Sequence, residues 1–229
     1  MDFKELETKS APEILQWAID RYGQRAGLAS SFGMEDMVLI DMLAQLDGEI
    51  TVFTLDTGRL HEETYELMER VRSKYGICIH AFFPVKEDVE RLLKDKGFFS
   101  FRESVDNRKE CCAIRKVEPL NRALSGLSAW ITGLRREQSV TRTDVPKAAE
   151  DPDHNSIIKI NPLADWTLDK VEEYLEKNNV PVNELHKKNY PSIGCAPCTR
   201  PVEPGEDIRS GRWWWENPEH KECGLHRPR

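Results

Sequence analysis

The chain has 229 residues, 39% hydrophobic and 32% charged, with a formal net charge of −7. That length suits one medium-sized domain with a sizeable core, and the acidic balance argues against electrostatic binding of nucleic acid, which needs a basic surface. No run approaches the roughly 18 apolar residues of a membrane span, and MDFKELETKS opens with no apolar stretch behind a basic one, so neither a membrane segment nor a secretory leader is expected. The expectation is a cytoplasmic protein whose thiols stay reduced, where grouped cysteines serve metal binding or catalysis.

In chain order, APEILQWAIDRYG predicts an amphipathic helix with Ile14, Leu15, Ala18 and Ile19 on one side. GLASSF predicts a short apolar strand, and GMEDMVLIDMLAQL a helix with Met34, Val38, Leu39 and Met42 at helical spacing. ITVFTLD is a second strand, LHEETYELMERVRSKYG a helix with a glycine stop, and ICIHAFFP a third strand that places Cys78 in the core. VKEDVERLLKDKG and CAIRKVEPLNRAL predict two further helices, AWITGLR a fourth strand and SIIKINPL a fifth. Thr167 is the expected N-cap of a helix in WTLDKVEEYLEKNN. Beyond about residue 180 prolines, glycines and tryptophans dominate, as in a loop-rich segment.

Short apolar strands alternating with helices predict an α/β fold whose mainly parallel central sheet carries helices on both faces. The expected division is residues 1–199 as the α/β body and 200–229 as a C-terminal tail. Such sheets bind ligands beyond the carboxyl ends of their strands. Three motifs fall there: SSFGMED, LDTGRLHEE and TGLRREQS. In SSFGMED, Ser30, Ser31 and Gly33 sit between a strand and a helix, where backbone N–H groups favour an anion. Basic residues crowd at Lys109, Arg115 and Lys116, at Arg135, Arg136 and Arg142, and at Arg209 and Arg212. Each alone reads as a solvated charge. Three groups beside cysteines and glycines suit a pocket for a small anion.

Four of the six cysteines form two groups: the vicinal Cys111 and Cys112 in KECCAIRK, and the C-x-x-C of Cys195 and Cys198 in SIGCAPCTRP. Tetrahedral zinc usually draws on two C-x-x-C knuckles, which a vicinal pair cannot easily form. A [4Fe–4S] cluster binds one cysteine per iron, and adjacent cysteines suit it better. A redox disulfide at Cys195 and Cys198 is the third option. Cys223 stands apart in KECGLHRPR, near Lys221 and His226, a polar setting in which cations favour the thiolate.

Together CCAIRKVEPL, SIGCAPCTRPV, SGRWWWE and ECGLH resemble the iron–sulfur branch of the assimilatory sulfonucleotide reductases, over roughly residues 25 to 229. The resemblance implies a fold related to the ATP-pyrophosphatase (adenine nucleotide hydrolase-like) group and a [4Fe–4S] cluster on Cys111, Cys112, Cys195 and Cys198. It implies reduction of adenosine 5′-phosphosulfate (APS) to sulfite and AMP, with Cys223 as nucleophile and thioredoxin or a similar dithiol as donor. It also implies substrate contacts from Ser30, Ser31, Gly33, Leu55, Gly133, Lys116, Arg142, Arg209, Arg212 and His226, and a homo-oligomer. The neighbouring reading is a reductase of the 3′-phosphorylated nucleotide (PAPS), or one that accepts both; members without the four cysteines prefer PAPS. A thiouridylase-like enzyme acting on transfer RNA is opposed by the net charge. A non-enzymatic iron–sulfur regulator leaves ECGLH unexplained.

Overall fold

The structure, a computed structural model, describes residues 3–46, 48–138 and 143–217. Its core is a six-stranded sheet of order β3-β2-β1-β4-β6-β5. The strands are β1 (Ala26–Ala29), β2 (Thr51–Leu55), β3 (Ile79–Phe82), β4 (Ala129–Ile131), β5 (Ala148–Asp151) and β6 (Ile157–Ile160). β1, β2, β3, β4 and β6 run parallel, and β5 pairs antiparallel with β6 at one edge.

The period-2 alternation of strands assigns the two faces. Ala26, Leu28, Val52, Ala129, Ile131 and Ile160 point into one core. It is covered by α1 (Ala11–Tyr22), α2 (Met34–Leu43), α3 (Glu62–Tyr75) and a helix over Leu168–Lys177. Phe53 and Trp130 point the other way and meet Leu120, Ala123 and Leu124. Helices thus lie on both faces, as the strand pattern predicts. Ile14, Leu15, Ala18 and Ile19 are all buried. α1 opens with a reciprocal capping box, in which the Glu13 carboxylate accepts from the Ser10 backbone N–H at 2.7 Å. Thr167 caps the Leu168–Lys177 helix by accepting from Lys170 N–H at 3.2 Å.

Three features differ from the sequence reading. β5 is a sixth strand: its sequence, AAED, is too polar to signal one, and its edge position tolerates that. Cys78 is exposed and precedes β3 rather than lying mid-strand in the core; β3 is itself an edge strand, so the apolar run there is only half covered. The helix expected from Cys112 onward begins at Val105, where Ser104 Oγ accepts from Asn107 N–H at 3.1 Å. After α4 (Lys86–Lys96) come α5 (Val105–Cys112), a π-helical stretch over Ala113–Val117, and α6 (Glu118–Leu124), in one continuous run. The Leu168–Lys177 helix is α7.

Asp41, buried on α2, pins three elements together. Its carboxylate accepts from Tyr75 OH of α3 at 2.7 Å, Tyr174 OH of α7 at 2.9 Å and Gln45 Nε2 at 2.7 Å. Burial, then the Asp41 acceptor, raises the pKa of both phenols, so they remain donors. Asp41→Ala leaves those donors without an acceptor. At about 1–3 kcal/mol per unsatisfied group, unfolding in urea should show a loss of about 2–4 kcal/mol; a loss below about 1 kcal/mol would mean that water replaces the carboxylate.

Candidate active site

β1 has β2 on one side and β4 on the other, so the chain reverses direction across the sheet at β1. In open α/β sheets the crevice at such a point is the ligand site. Its walls are the loops following β1, β2 and β4, which carry the three motifs singled out from the sequence.

The loop after β1 is tightly specified. Ser30 N–H donates to Phe53 O at 2.8 Å, and Ser30 Oγ accepts from Phe32 N–H at 3.1 Å. Phe32 is buried at φ 60°, a left-handed conformation that fixes the turn into α2. Gly33 is the α2 N-cap. Ser31 gives both donors to Asp36: its N–H at 2.6 Å and its hydroxyl at 2.9 Å. Burial drives the Asp36 pKa up to about 6, against the pull of the Ser31 bonds. Gly133, after β4, packs directly on this loop: a Cβ there would stand 2.6 Å from Asp36 Oδ1 and 2.8 Å from Glu35 Cβ. Close approach, not turn geometry, requires glycine at that position. Leu55 ends β2, in register with Phe82.

The loop after β2 leads to the cysteines. Asp56 accepts from Gly58 N–H and Tyr65 OH, which closes the turn. The Thr57 carbonyl accepts from Arg115 Nη1 at 2.6 Å, its hydroxyl lies 3.3 Å from Cys195 Sγ, and Arg59 O accepts from Ala196 N–H at 2.8 Å. This loop therefore holds the first cysteine pair, through Arg115, against the second. Cys111, Cys112, Cys195 and Cys198 all line one cavity of about 380 Å³ of empty space, part of it open to solvent. Arg59, Arg108, Arg115, Lys116 and Arg212 line the same cavity, with Phe101 and Trp213.

The thiols do not share one environment. Burial pushes Cys198 up to about 12, helped by the nearby Cys195. Burial also raises Cys111. Burial acts likewise on Cys195, but Lys116, the Thr57 hydroxyl, Arg212 and Arg59 together outweigh it and hold Cys195 below the ordinary thiol value. Among the described residues no three His, Cys, Asp or Glu side chains gather at single-ion spacing.

Arg212 is set by close packing. A Cβ at Gly194 would collide with its guanidinium, which donates to Ile193 O at 3.2 Å and Ser192 Oγ at 3.3 Å. Trp213 is buried between Arg212 and Arg108, whose guanidinium carbons lie 4.8 and 4.6 Å from its ring. Trp214 is exposed and Trp215 packs on Phe101, so the three tryptophans divide between packing and surface. Residues 200–217 are held to the body by the Thr199–Arg212 bridge and by Trp213 N–H donating to Cys198 O at 3.1 Å.

The structure thus brings Cys111, Cys112, Cys195, Cys198, Lys116 and Arg212 together, and Ser30, Ser31, Gly33 and Gly133 at the crevice. Arg209 is half-buried outside the cavity lining; its carbonyl accepts from Arg212 N–H. Arg142, Cys223 and His226 lie outside the described residues. Arg135 and Arg136 are occupied structurally, by Glu35 at 2.8 Å and Glu7 at 2.8 Å. Sequence reasoning missed Arg59, Arg108 and Asp36. Arg108 had a signal: it stands four residues before Cys112, on the same helix face.

The result is a doubly wound α/β sheet with the Ser30–Gly33 and Gly133 loops at its switch point and a basic, thiol-lined cavity. The profile of the phosphoadenosine phosphosulfate reductase domain family matches residues 25–201, and the chain belongs to that family. A Burkholderia cepacia protein named adenosine 5′-phosphosulfate reductase is 53% identical over 223 residues, 96% of this chain and 89% of that one. The crystal structure of phosphoadenylyl-sulfate (PAPS) reductase from Candida auris, a phosphate complex, matches with a TM-score of 0.74 at 30% identity, covering 87% of this chain and 93% of that one. Candida glabrata FMN adenylyltransferase, in a complex with FAD and inorganic pyrophosphate, shares the fold with a TM-score of 0.60 at 13% identity, covering 93% of this chain and 74% of that one.

Asp36 carries a pH signature. Its folded pKa of about 6 stands above the ordinary aspartate value of 3.8, so the protonated acid favours folding. That contribution is complete below about pH 4 and is lost as pH rises through 6. At 1.36 kcal/mol per unit, roughly 3 kcal/mol is at stake. Between pH 4 and 7 the unfolding free energy of wild type should therefore fall relative to that of Asp36→Asn; a difference independent of pH would place the ionised carboxylate comfortably in the fold.

Proposed function

We propose that this chain reduces APS to sulfite and AMP in sulfate assimilation. The observation that carries the reading is the convergence of two cysteine pairs, with Lys116 and Arg212, on one cavity next to the crevice of a sulfonucleotide reductase family fold. The Burkholderia relative is named for APS and the Candida auris enzyme for PAPS; the former favours APS and the latter makes PAPS the alternative substrate.

The donor set suits a [4Fe–4S] cluster held by Cys111, Cys112, Cys195 and Cys198. Neighbouring residues on a helix diverge by about 100°, so the vicinal sulfurs serve separate metals better than a single ion. Arg59, Arg115, Lys116 and Arg212 stand ready to balance the charge of the thiolates, while Arg108 is already paired with Glu216. When bound, the cluster would join the two cysteine pairs and set the local field; the dithiol donor brings both electrons.

APS would lie in the crevice with its adenosine against the loop after β2 near Leu55 and its anionic groups toward Ser30, Ser31, Gly33 and Gly133. Lys116 and Arg212 stabilise charge on the leaving phosphate, and the resemblance adds Arg142, Arg209 and His226. The Cys223 thiolate attacks the APS sulfur. An S–S bond forms, the S–O bond to phosphate breaks, and AMP departs with the electron pair. The product is S-sulfocysteine. A thiolate of thioredoxin or a similar dithiol then attacks Cys223 Sγ and sulfite leaves with its electron pair; the second thiol resolves the mixed disulfide and frees Cys223. The reading carries with it a cytoplasmic setting and a homo-oligomeric assembly. Among the described residues no helix is long and apolar enough to cross a membrane.

Anaerobic protein mixed with APS and no dithiol should gain the mass of one SO₃ on Cys223 and release one AMP per chain. Reduced thioredoxin should remove that mass as sulfite. Cys223→Ser should bind APS yet form no adduct, since a hydroxyl is far less acidic than a thiol. An adduct on any other cysteine, or sulfite production by the serine variant, would overturn the mechanism. Reaction with PAPS at equal efficiency would overturn the substrate assignment alone.

A further inference from the structure

Arg108 and Glu216 form an ion pair that the scheme above does not use. Arg108 Nε donates to Glu216 Oε1 at 2.7 Å, with side-chain exposures of 1% and 4%. Charged side chains are almost never so fully buried unless paired. A buried ion pair adds little to stability over an apolar pair of the same volume, so stability alone does not account for it.

The pair stands between the two groups of cysteines. Arg108 lies one helical turn before Cys112 on α5 and lines the cysteine cavity. Its guanidinium donates a hydrogen bond to the Cys112 side chain and stacks on the Trp213 ring at 4.6 Å. Glu216 reaches the other cysteines through the backbone: its N–H donates to Trp213 O at 2.8 Å, and Trp213 N–H donates to Cys198 O at 3.1 Å. Cys112, Arg108, Glu216, Trp213 and Cys198 thus form one connected path. It is separate from the Thr57 link, which runs through Arg115 and Cys195. Glu216 offsets the charge of the guanidinium without taking its hydrogen bond to sulfur. What meets Cys112 is a fixed donor with little net charge behind it.

We propose that Arg108 is a positioning residue of the thiol site: Glu216 holds it so that it orients Cys112 and donates to the Cys112 sulfur when that sulfur ligates iron. Outer partners of this kind fix the orientation of a ligand, and a hydrogen bond to sulfur draws electron density from it. This inference rests on the cluster reading given under the proposed function.

Resonance Raman spectra of anaerobically prepared protein, recorded without nucleotide, report the iron–cysteine stretching frequencies. A hydrogen bond to a ligating sulfur weakens the iron–sulfur bond and lowers its frequency. In the double variant Arg108→Gln with Glu216→Gln, two amides replace the ion pair and no lone charge is left buried. The guanidinium donor is gone, and an iron–cysteine band should move up. In Glu216→Gln alone the cation is no longer offset and polarises the sulfur more strongly, so the same band should move down. Bands that stay in place in the double variant, or that move the same way in both, would make the pair a packing element and overturn the proposal. The double variant decides by itself if Glu216→Gln does not fold. A wild type without iron–sulfur bands fails the cluster reading, and this inference with it; wild-type bands that neither variant moves fail this inference alone.

Discussion

The site depends on the docking of the loop after β2 between two cysteine pairs that the sequence separates by 83 positions, Cys112 to Cys195. Thr57 does most of this with two atoms: its carbonyl receives Arg115, three residues beyond Cys112, and its hydroxyl meets Cys195 Sγ. Arg59 adds a backbone bond to Ala196. The loop starts from a strand buried on both faces, so its position is inherited from the sheet. Parallel sheets place such loops at one edge. In this fold that edge also holds the Ser30–Gly33 turn and Gly133, so the switch-point crevice and the thiol-lined cavity share the loop after β2.

Charge explains why the arrangement suits an anion in an acidic protein. The net charge of −7 is spread over the whole chain, whereas five cations face a single cavity. They oppose one another: burial, then Arg59, lowers the Arg115 pKa. Sulfur eases that opposition, since Cys195 is held toward the thiolate by Lys116, Arg212 and Arg59. Three of these cations are placed by something apart from the anion they would meet. Arg115 has the Thr57 carbonyl, Arg212 the Ile193 carbonyl and the space left by Gly194, and Arg108 the Glu216 carboxylate. Preorganised donors of this kind need little rearrangement when charge develops.

The α/β alternation was legible because strands buried on both faces read as largely apolar runs, and β1, β2 and β4 do. β5 was not legible: an edge strand can be as polar as AAED. Cys78 misled for the complementary reason, since ICIHAFF looks central but lies at the other edge. The cysteine pairing was legible through residue type and spacing alone. Arg108, Arg59 and Asp36 were not, because their roles come from partners far away in sequence, namely Glu216, Ala196 and the packing of Gly133 on Glu35 and Asp36. The π-helical stretch over Ala113–Val117, which carries Arg115 and Lys116, has no sequence signature; such stretches often mark functional sites. The roles of Arg142, Cys223 and His226 rest on the sequence resemblance.

The central claim is that the four thiols hold a cubic iron–sulfur group within the electrostatic field of the bound nucleotide. Mössbauer spectroscopy of ⁵⁷Fe-enriched, anaerobically prepared protein, recorded with and without APS, tests it most directly. The account predicts one [4Fe–4S] centre per chain whose parameters shift when APS binds, because the proposed site sets Lys116 and Arg212 between the two. A protein with no iron, or with a [4Fe–4S] spectrum unaltered by saturating APS, would contradict it.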